Sequence, residues 1–158
     1  MNSTKLVFSV LVLFVVAGCA SPTSIDVRQG WDVTPDDRFA YEVVEHVEMT
    51  EDGRSVFDES LQEYLADAGV GANGEATRNV NIEITDYQMQ HGAARYFLGW
   101  FAGDDIMISE VTVTDAASGS QLGQSTVKTE SRGGGGSVAG LIDGHAEQIV
   151  DYLSKGGE

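Results

Sequence analysis

A short apolar run that ends at the only cysteine of the chain constrains its architecture most strongly. Lys5 precedes residues 6–17, which are almost entirely apolar, and small residues then lead directly into Cys19. Twelve helical residues extend about 18 Å, whereas the hydrocarbon core of a bilayer is roughly 30 Å thick. The run is therefore too short for a membrane-spanning helix. A chain with one cysteine also forms no internal disulfide, so the remainder has to fold around an apolar core of its own.

The same stretch is typical of a secretory signal peptide. Small residues packed against a cysteine resemble a lipobox, the site at which bacterial prolipoproteins are acylated and cleaved. We therefore predict that residues 1–18 are a cleaved lipoprotein signal peptide and that Cys19 carries acyl chains such as palmitate. Cleavage without acylation is the alternative, and it would leave a lone thiol in an oxidising compartment. Several acyl chains anchor a protein stably, since each buried methylene contributes about 0.8 kcal/mol.

The residue after the cysteine predicts which membrane holds the protein. In the lipoproteins that this sequence resembles, an aspartate at that position retains the protein in the inner membrane, whereas this chain has Ala20. The prediction is a protein that Cys19 anchors to the outer membrane of a Gram-negative bacterium, on the periplasmic face. Retention in the inner membrane is the alternative.

Net charge argues against a nucleic-acid partner. Removal of residues 1–18 from the 158-residue chain leaves 140 residues, with 8 Lys and Arg against 25 Asp and Glu, a net charge of −17. Such a surface repels the phosphates of nucleic acids and of anionic lipids. The acidic surplus is explained by solubility, and attraction to a basic partner is the alternative.

Hydrophobic periodicity predicts a single domain over residues 38–155. Residues 19–37 lack periodicity, so we predict an acylated cysteine followed by a flexible tether. The predicted order β-α-β-β-β-α is an α+β two-layer sandwich, with a mixed four-stranded sheet and two helices packed on one face. The first β-α-β unit should cross over right-handed if its strands are parallel neighbours, and the last three strands should form an antiparallel meander. The predicted strands cover Phe39 to Met49, Val80 to Met89, Ile106 to Thr114 and Leu122 to Glu130, and the predicted helices run from a Ser55 cap to Ala68 and from Val138 to Leu153.

No group of residues in the sequence has the spacing of a catalytic or metal site. His46, His91 and His145 lie far apart, and His145 falls on the apolar face of the last helix, where a buried structural role is predicted. The acidic residues Asp104, Asp105 and Glu110 do not fit a calcium-binding loop, and we expect solvated charges there. We therefore predict a protein that is not an enzyme and has no cofactor and no metal.

A glycine run at residues 133–136 follows a predicted strand and precedes a helix, the context of a phosphate-binding loop. The spacing from Gly135 to Gly140 is followed by Leu141 where a phosphate loop has lysine, and the surrounding charge is strongly negative. Nucleotide binding is therefore not predicted.

Residues 93–103 form the most apolar stretch after the signal peptide, and they lie between two predicted strands. Loops often carry function, and an exposed apolar patch marks a surface for a partner or a membrane. The alternative is a plug in which the aromatic rings fold back over the open face of the sheet. The predicted interaction residues are Arg95, Tyr96, Phe97, Trp100 and Phe101.

The same region carries a family resemblance. Arg95 is followed by Leu98-Gly99-Trp100-Phe101-Ala102-Gly103, a strand ending in Thr114-Asp115, then Ser118-Gly119, the glycine run and a closing helix. This pattern resembles an uncharacterised bacterial lipoprotein family, domain of unknown function 4410, over roughly residues 38–154. The resemblance implies a secreted, lipid-anchored α+β domain and brings no activity or catalytic residue with it.

The sequence thus predicts a non-catalytic envelope interaction or adaptor domain, with the acylated Cys19 in the membrane and an envelope protein as partner. Trp100 and Phe101 are the expected contact residues, since aromatic side chains dominate interface energetics. The alternative function is a small-ligand or envelope-glycan binding module that uses the sheet face. A defined apolar pocket roofed by Trp100 would favour that alternative.

Overall fold

The computed structural model describes residues 23–71, 74–89, 104–131 and 137–157. Across these residues the chain forms five strands and two helices, namely Thr23–Gln29 (β1), Phe39–Glu45 (β2), Glu51–Asp67 (α1), Arg78–Gln88 (β3), Asp105–Asp115 (β4), Gln121–Ser131 (β5) and Val138–Lys155 (α2). The strands form one mixed sheet in the order β1-β5-β4-β3-β2. The α+β class is confirmed, and the sheet has one strand more than predicted.

The two predicted units of the sheet are both present. β2 and β3 pair in parallel, with α1 as the connection between them. β3, β4 and β5 pair in antiparallel register, and a tight turn closes the β4–β5 hairpin. In that turn Gly119 has φ +71° and its N–H donates to the Asp115 carbonyl over 2.8 Å. A positive φ is the conformation that glycine adopts without steric cost.

The additional strand corrects the prediction of a tether. Thr23–Gln29, assigned from sequence to the flexible residues 19–37, forms β1 and pairs antiparallel with β5 at the edge of the sheet. Ile25 and Val27 point toward the core and alternate with Ser24 and Asp26, so the period of two is present over only a few residues. The predicted tether is therefore wrong for β1.

The beginning of α1 also differs from the prediction. Thr50 is the N-cap, and its hydroxyl accepts a hydrogen bond from the Gly53 N–H over 3.1 Å. Glu51 and Asp52 occupy the first turn, where the helix dipole favours negative charge. The predicted cap, Ser55, lies one turn inside the helix, and β2 is correspondingly shorter than the predicted strand.

Both helices cover one face of the sheet and bury the core. A polar contact joins them, because Asp143 on α2 accepts hydrogen bonds from Ser60 (2.8 Å) and Tyr64 (3.1 Å) on α1. Burial and the neighbouring Asp143 carboxylate raise the pKa of Tyr64 to about 12. The core residues of the helices are Phe57, Leu61 and Leu65 on α1 and Ile142, Ala146, Ile149 and Leu153 on α2.

The segment after β1 is fixed against the end of α2. The Trp31 N–H donates to the Gly156 carbonyl over 2.9 Å, and Gly156, with φ +71°, is the C-cap of α2. The Trp31 ring packs edge-on against Phe39, with ring centroids 5.7 Å apart. Both ends of β1 are therefore held by the domain. Its first residues pair with β5, and the contact between Trp31 and Gly156 holds the segment that follows it.

Candidate functional site

The predicted anchor and the predicted contact residues lie outside the described residues. This holds for Cys19 and for the interaction residues Arg95, Tyr96, Phe97, Trp100 and Phe101. The structure instead defines the elements that flank them. Met89 and Asp104 are the described residues on either side of the aromatic segment, and Thr23 is the first described residue after Cys19.

Strand register places these flanking elements at one end of the sheet. Thr23 pairs with Thr129 near the end of β5, and Asp105 pairs with Ser131. Gln88, the last residue of β3, pairs with Ile106 near the beginning of β4. We call this the Thr23 end, defined by Thr23, Gln88, Asp105 and Ser131. The opposite end, defined by the β4–β5 turn at residues 115–120, is called the hairpin end.

The sheet face away from the helices is open and largely polar. Side chains of this face are half-buried, and they alternate along β4 and β5 with the fully buried residues of the core. Ile106 and Ile108 are apolar exceptions close to the Thr23 end. The polar and charged side chains of this open face include Asp26, Arg28, Asn81, Glu83, Glu110, Thr112, Gln124, Thr126 and Lys128.

Two carboxylates face each other at the centre of the open face. Glu83 on β3 is directly opposite Glu110 on β4, a like-charge pairing that destabilises a sheet unless other groups compensate. His46 Nε2 lies 2.9 Å from Glu83, and Arg28 Nη2 lies 3.4 Å from Glu110. Asn81 also donates to Glu83 over 2.7 Å. The arrangement is a set of paired, hydrogen-bonding polar groups on the open surface of the sheet.

His145 is the centre of a buried hydrogen-bond network under the other face. Its Nε2 lies 2.6 Å from the Ser109 hydroxyl and its Nδ1 lies 2.8 Å from the Thr129 hydroxyl, which in turn contacts the Thr23 hydroxyl over 2.8 Å. Burial lowers the pKa of His145 to about 3. A serine and a histidine at this distance form a nucleophile–base pair in hydrolases, but Ser109 and His145 are both 0% exposed. A substrate cannot reach them, and the predicted structural role fits this geometry.

The described part of the chain contains no group of three or more His, Cys, Asp or Glu residues that could hold a metal ion. His46 is exposed and His91 lies outside that part. The predicted acidic cluster is divided by the fold. Asp104 is exposed, Glu110 lies on the open face, and Asp105 is 2% exposed, so the expectation of solvated charge is wrong for Asp105.

An ion-pair network that the sequence did not indicate lies at the hairpin end. The Arg78 guanidinium contacts the buried Asp37 carboxylate over 2.9 Å and the Asp115 carboxylate over 2.8 Å. It also lies 6.0 Å from the Trp31 ring. These partners are separated widely along the chain, so no local spacing could have revealed the network. Its contacts join the beginnings of β2 and β3 to the end of β4, which is a structural role.

A cleft of about 670 Å³ lies beside this network. It is bounded by residues 31–35, the end of α1 and the end of α2. The loop that follows α1 contributes Gly69 and Val70, and α2 contributes Lys155. The polar side chains of this cleft are Asp32, Thr34, Ser154 and Lys155, and none of them is a residue that the sequence predicted for a site.

Membrane insertion by a helix finds no support in the described residues. Neither α1 nor α2 is long and apolar enough to span a bilayer. The glycine run at residues 133–136 lies outside the described part, and Ser137 is the N-cap of α2, with its hydroxyl accepting from the Gly140 N–H over 3.0 Å.

Comparison with protein families gives one match. A sequence model of the family described as domain of unknown function (DUF4410) matches residues 21–135, a span that includes β1 as well as the hairpin of β4 and β5. No curated protein sequence matches the chain.

Two solved structures with TM-scores above 0.5 share the fold at low sequence identity. The PelC dodecamer from Paraburkholderia phytofirmans, in space group P6, is 11% identical with a TM-score of 0.63, over 84% of this chain and 98% of that one. A variant of the same dodecamer in space group C2 gives 12% identity and the same TM-score. The lipoprotein GNA1162 from Neisseria meningitidis is 12% identical over 75% of this chain and 98% of that one, with a TM-score of 0.48.

Proposed function

The chain belongs to the family described as domain of unknown function DUF4410, and from that premise we propose that it is a non-catalytic envelope interaction domain. In this proposal an acylated Cys19 anchors the protein in the outer membrane, on the periplasmic face. The aromatic segment, residues 93–103, binds another envelope protein, with Trp100 and Phe101 as the central contacts. The protein acts as an adaptor between the membrane and that partner.

The observation that supports this function is the polarity of the open sheet face. The apolar core lies on the opposite face, where α1 and α2 already cover β3, β4 and β5. Near the ends of the aromatic segment a plug of aromatic rings would meet Ile106 and Ile108. Over the rest of the open face it would lie on charged and amide side chains, including Glu83, Glu110 and Lys128. Such a plug would remove water from the partly exposed ion pairs of these residues, and the desolvation of charged groups is costly. The polarity of this face therefore favours the interpretation in which a partner protein, and not the sheet, buries the aromatic residues.

The glycan or small-ligand alternative has one supporting feature. The open face presents amide, hydroxyl and carboxylate groups in a row, and these are the groups that hydrogen-bond sugar hydroxyls. The concavity that reaches this face, about 310 Å³ between residues 40–42, 79–81 and Thr114, is at the lower end of the size range of ligand sites, and affinity for a small ligand normally requires a site that buries most of the ligand. The interaction domain is therefore the better-supported function.

In-cell photo-crosslinking from position 100 tests the proposed function. A photoreactive phenylalanine analogue replaces Trp100 in the acylated protein, and the adducts are identified by mass spectrometry. We expect one recurrent envelope protein, and we expect the adduct to fall at least several-fold when Phe101→Ala is added. Aromatic contact residues at an interface commonly contribute 2 kcal/mol or more, roughly a thirtyfold change in affinity.

A photoreactive residue in place of Ser118, at the exposed turn of the hairpin end, is the matched control and should not give the same adduct. Adducts confined to the chain itself would show that the segment is a plug and would contradict the proposal. Adducts to polysaccharide would support the alternative function. Adducts between two copies would identify the partner as a second copy, an assembly that the PelC structures show for that protein.

A further inference from the structure

The position of β1 has a consequence for how the protein sits on its membrane. We propose that the Thr23 end of the sheet is a membrane-facing surface, held close to the lipid headgroups, and that the hairpin end points away from the bilayer. This inference rests on the proposed acylation of Cys19. It adds an orientation of the described domain relative to the membrane.

The point at which the chain leaves the domain toward Cys19 is fixed. Thr23 is buried at the edge of the sheet, in register with Thr129, and its hydroxyl contacts the Thr129 hydroxyl over 2.8 Å. At the other end of β1, the backbone bond between Trp31 and Gly156 holds the strand exit. Movement of Thr23 away from the domain would therefore require β1 to separate from β5.

The connection from the anchor to this fixed point is short. Only Ala20, Ser21 and Pro22 lie between Cys19 and Thr23, so the four steps span at most about 14 Å. A flexible tether through residue 37 would instead have reached roughly 60 Å and imposed no orientation. Because β1 is part of the sheet, the connection between the domain and Cys19 is short, and the domain is held close to the anchor.

The same register determines which other residues approach the lipid. Gln88 and Ser131 lie at the Thr23 end together with β1, and the ends of the aromatic segment attach there. The 11-residue strands β4 and β5 carry the hairpin end about 35 Å further away. The cleft beside Trp31 and the Arg78 network lie at that distant end.

Fluorescence quenching by labelled lipids tests this orientation. The acylated mature chain is reconstituted into vesicles of phosphatidylethanolamine and phosphatidylglycerol that contain a headgroup-spin-labelled lipid. Because acylation uses the sulfur of Cys19, a single introduced cysteine is the one free thiol for a fluorophore. The exposed positions Ser24→Cys and Gln88→Cys report on the Thr23 end, and the exposed Ala117→Cys reports on the hairpin end.

We expect quenching at Ser24→Cys and Gln88→Cys to exceed that at Ala117→Cys several-fold. Equal quenching at the three positions, or stronger quenching at Ala117→Cys, would overturn the orientation. Quenching at Ser24→Cys alone would mean that the domain lies on its β1 edge and would also overturn it. A flexible glycine-serine insertion after Ala20 should abolish the difference, and a difference that persists would refute the short connection as its cause.

Flotation of the same vesicles separates this inference from the proposed function. Protein that floats with the vesicles but shows no positional difference leaves the anchor intact and overturns the orientation only. Protein that fails to float overturns the acyl anchor and the orientation together.

Discussion

Gly156→Ala is expected to reduce the free energy of unfolding by about 4 kcal/mol, a large part of the stability of a domain of this size. Gly156 has φ +71°, a region that costs alanine about 1 kcal/mol. A Cβ atom at this position would also overlap the Trp31 carbonyl oxygen, a backbone atom that no rotamer change can move. Relief requires the segment after β1 to separate from the end of α2. Urea titration of the purified mature chain, followed by circular dichroism, measures the loss.

Gly119→Ala is the matched control for this substitution. Gly119 also has φ +71°, but no atom lies within 4 Å of the position that its Cβ would occupy. The control should therefore lose about 1 kcal/mol, the backbone cost alone. Equal losses for the two variants would show that the contact between Trp31 and Gly156 contributes nothing, and the fixed exit of β1 would lose its support.

The stability of the domain is expected to fall by about 2 kcal/mol between pH 7.5 and pH 5 through His145 alone, since its pKa decreases from an ordinary 6.5 to about 3 on folding. The unfolded chain binds a proton at His145 below pH 6.5, whereas the folded chain does not until about pH 3. Stability from this group is therefore full above pH 6.5 and is lost as the pH falls toward 3. Urea titrations at a series of pH values measure the slope.

The variant His145→Gln removes this titration and keeps groups that can donate to one hydroxyl and accept from the other. Its stability should be lower than that of the wild type at neutral pH, because two buried contacts change, but the pH-dependent loss should be smaller by about 2 kcal/mol. His46→Gln is the control, since His46 is exposed. A wild-type pH profile that His145→Gln leaves unchanged would contradict a neutral, buried His145.

The sequence predicted those parts of the fold whose periodicity runs over many residues. The alternation around Val80, Ile82 and Ile84 identified β3, and the helical spacing from Val138 to Leu153 identified α2. The structure pairs β2 with β3 in parallel, the arrangement that the helix between them allowed. Each of these elements carries enough apolar residues for its period to be read locally.

Short elements and long-range contacts could not be predicted in the same way. The apolar residues on the inner face of β1 are only Ile25 and Val27, and the segment forms a strand because it pairs with the edge of β5. The hydrogen bonds of His145 reach Ser109 and Thr129, residues 36 and 16 positions away. Such contacts depend on strand register, which a single sequence does not define.

The candidate site was predicted from a motif, which indicated Cys19, and from composition, which indicated the aromatic segment. Both features lie outside the described residues. The structure adds the surroundings that sequence could not supply. Register brings the elements flanking both features to the Thr23 end, and the polar open face disfavours a plug. The proposed function is therefore supported by a sequence motif and by the geometry of the described elements that flank it.

Mass spectrometry of the N-terminal peptide, recovered from a purified outer-membrane fraction, tests the central claim of a lipid-anchored domain most directly. The predicted result is a peptide that begins at Cys19 and carries acyl chains, with Cys19→Ser absent from that fraction. A peptide that begins elsewhere, or that begins at Cys19 with a free thiol, would contradict the anchor. Recovery of the acylated peptide from the inner membrane alone would contradict the outer-membrane location.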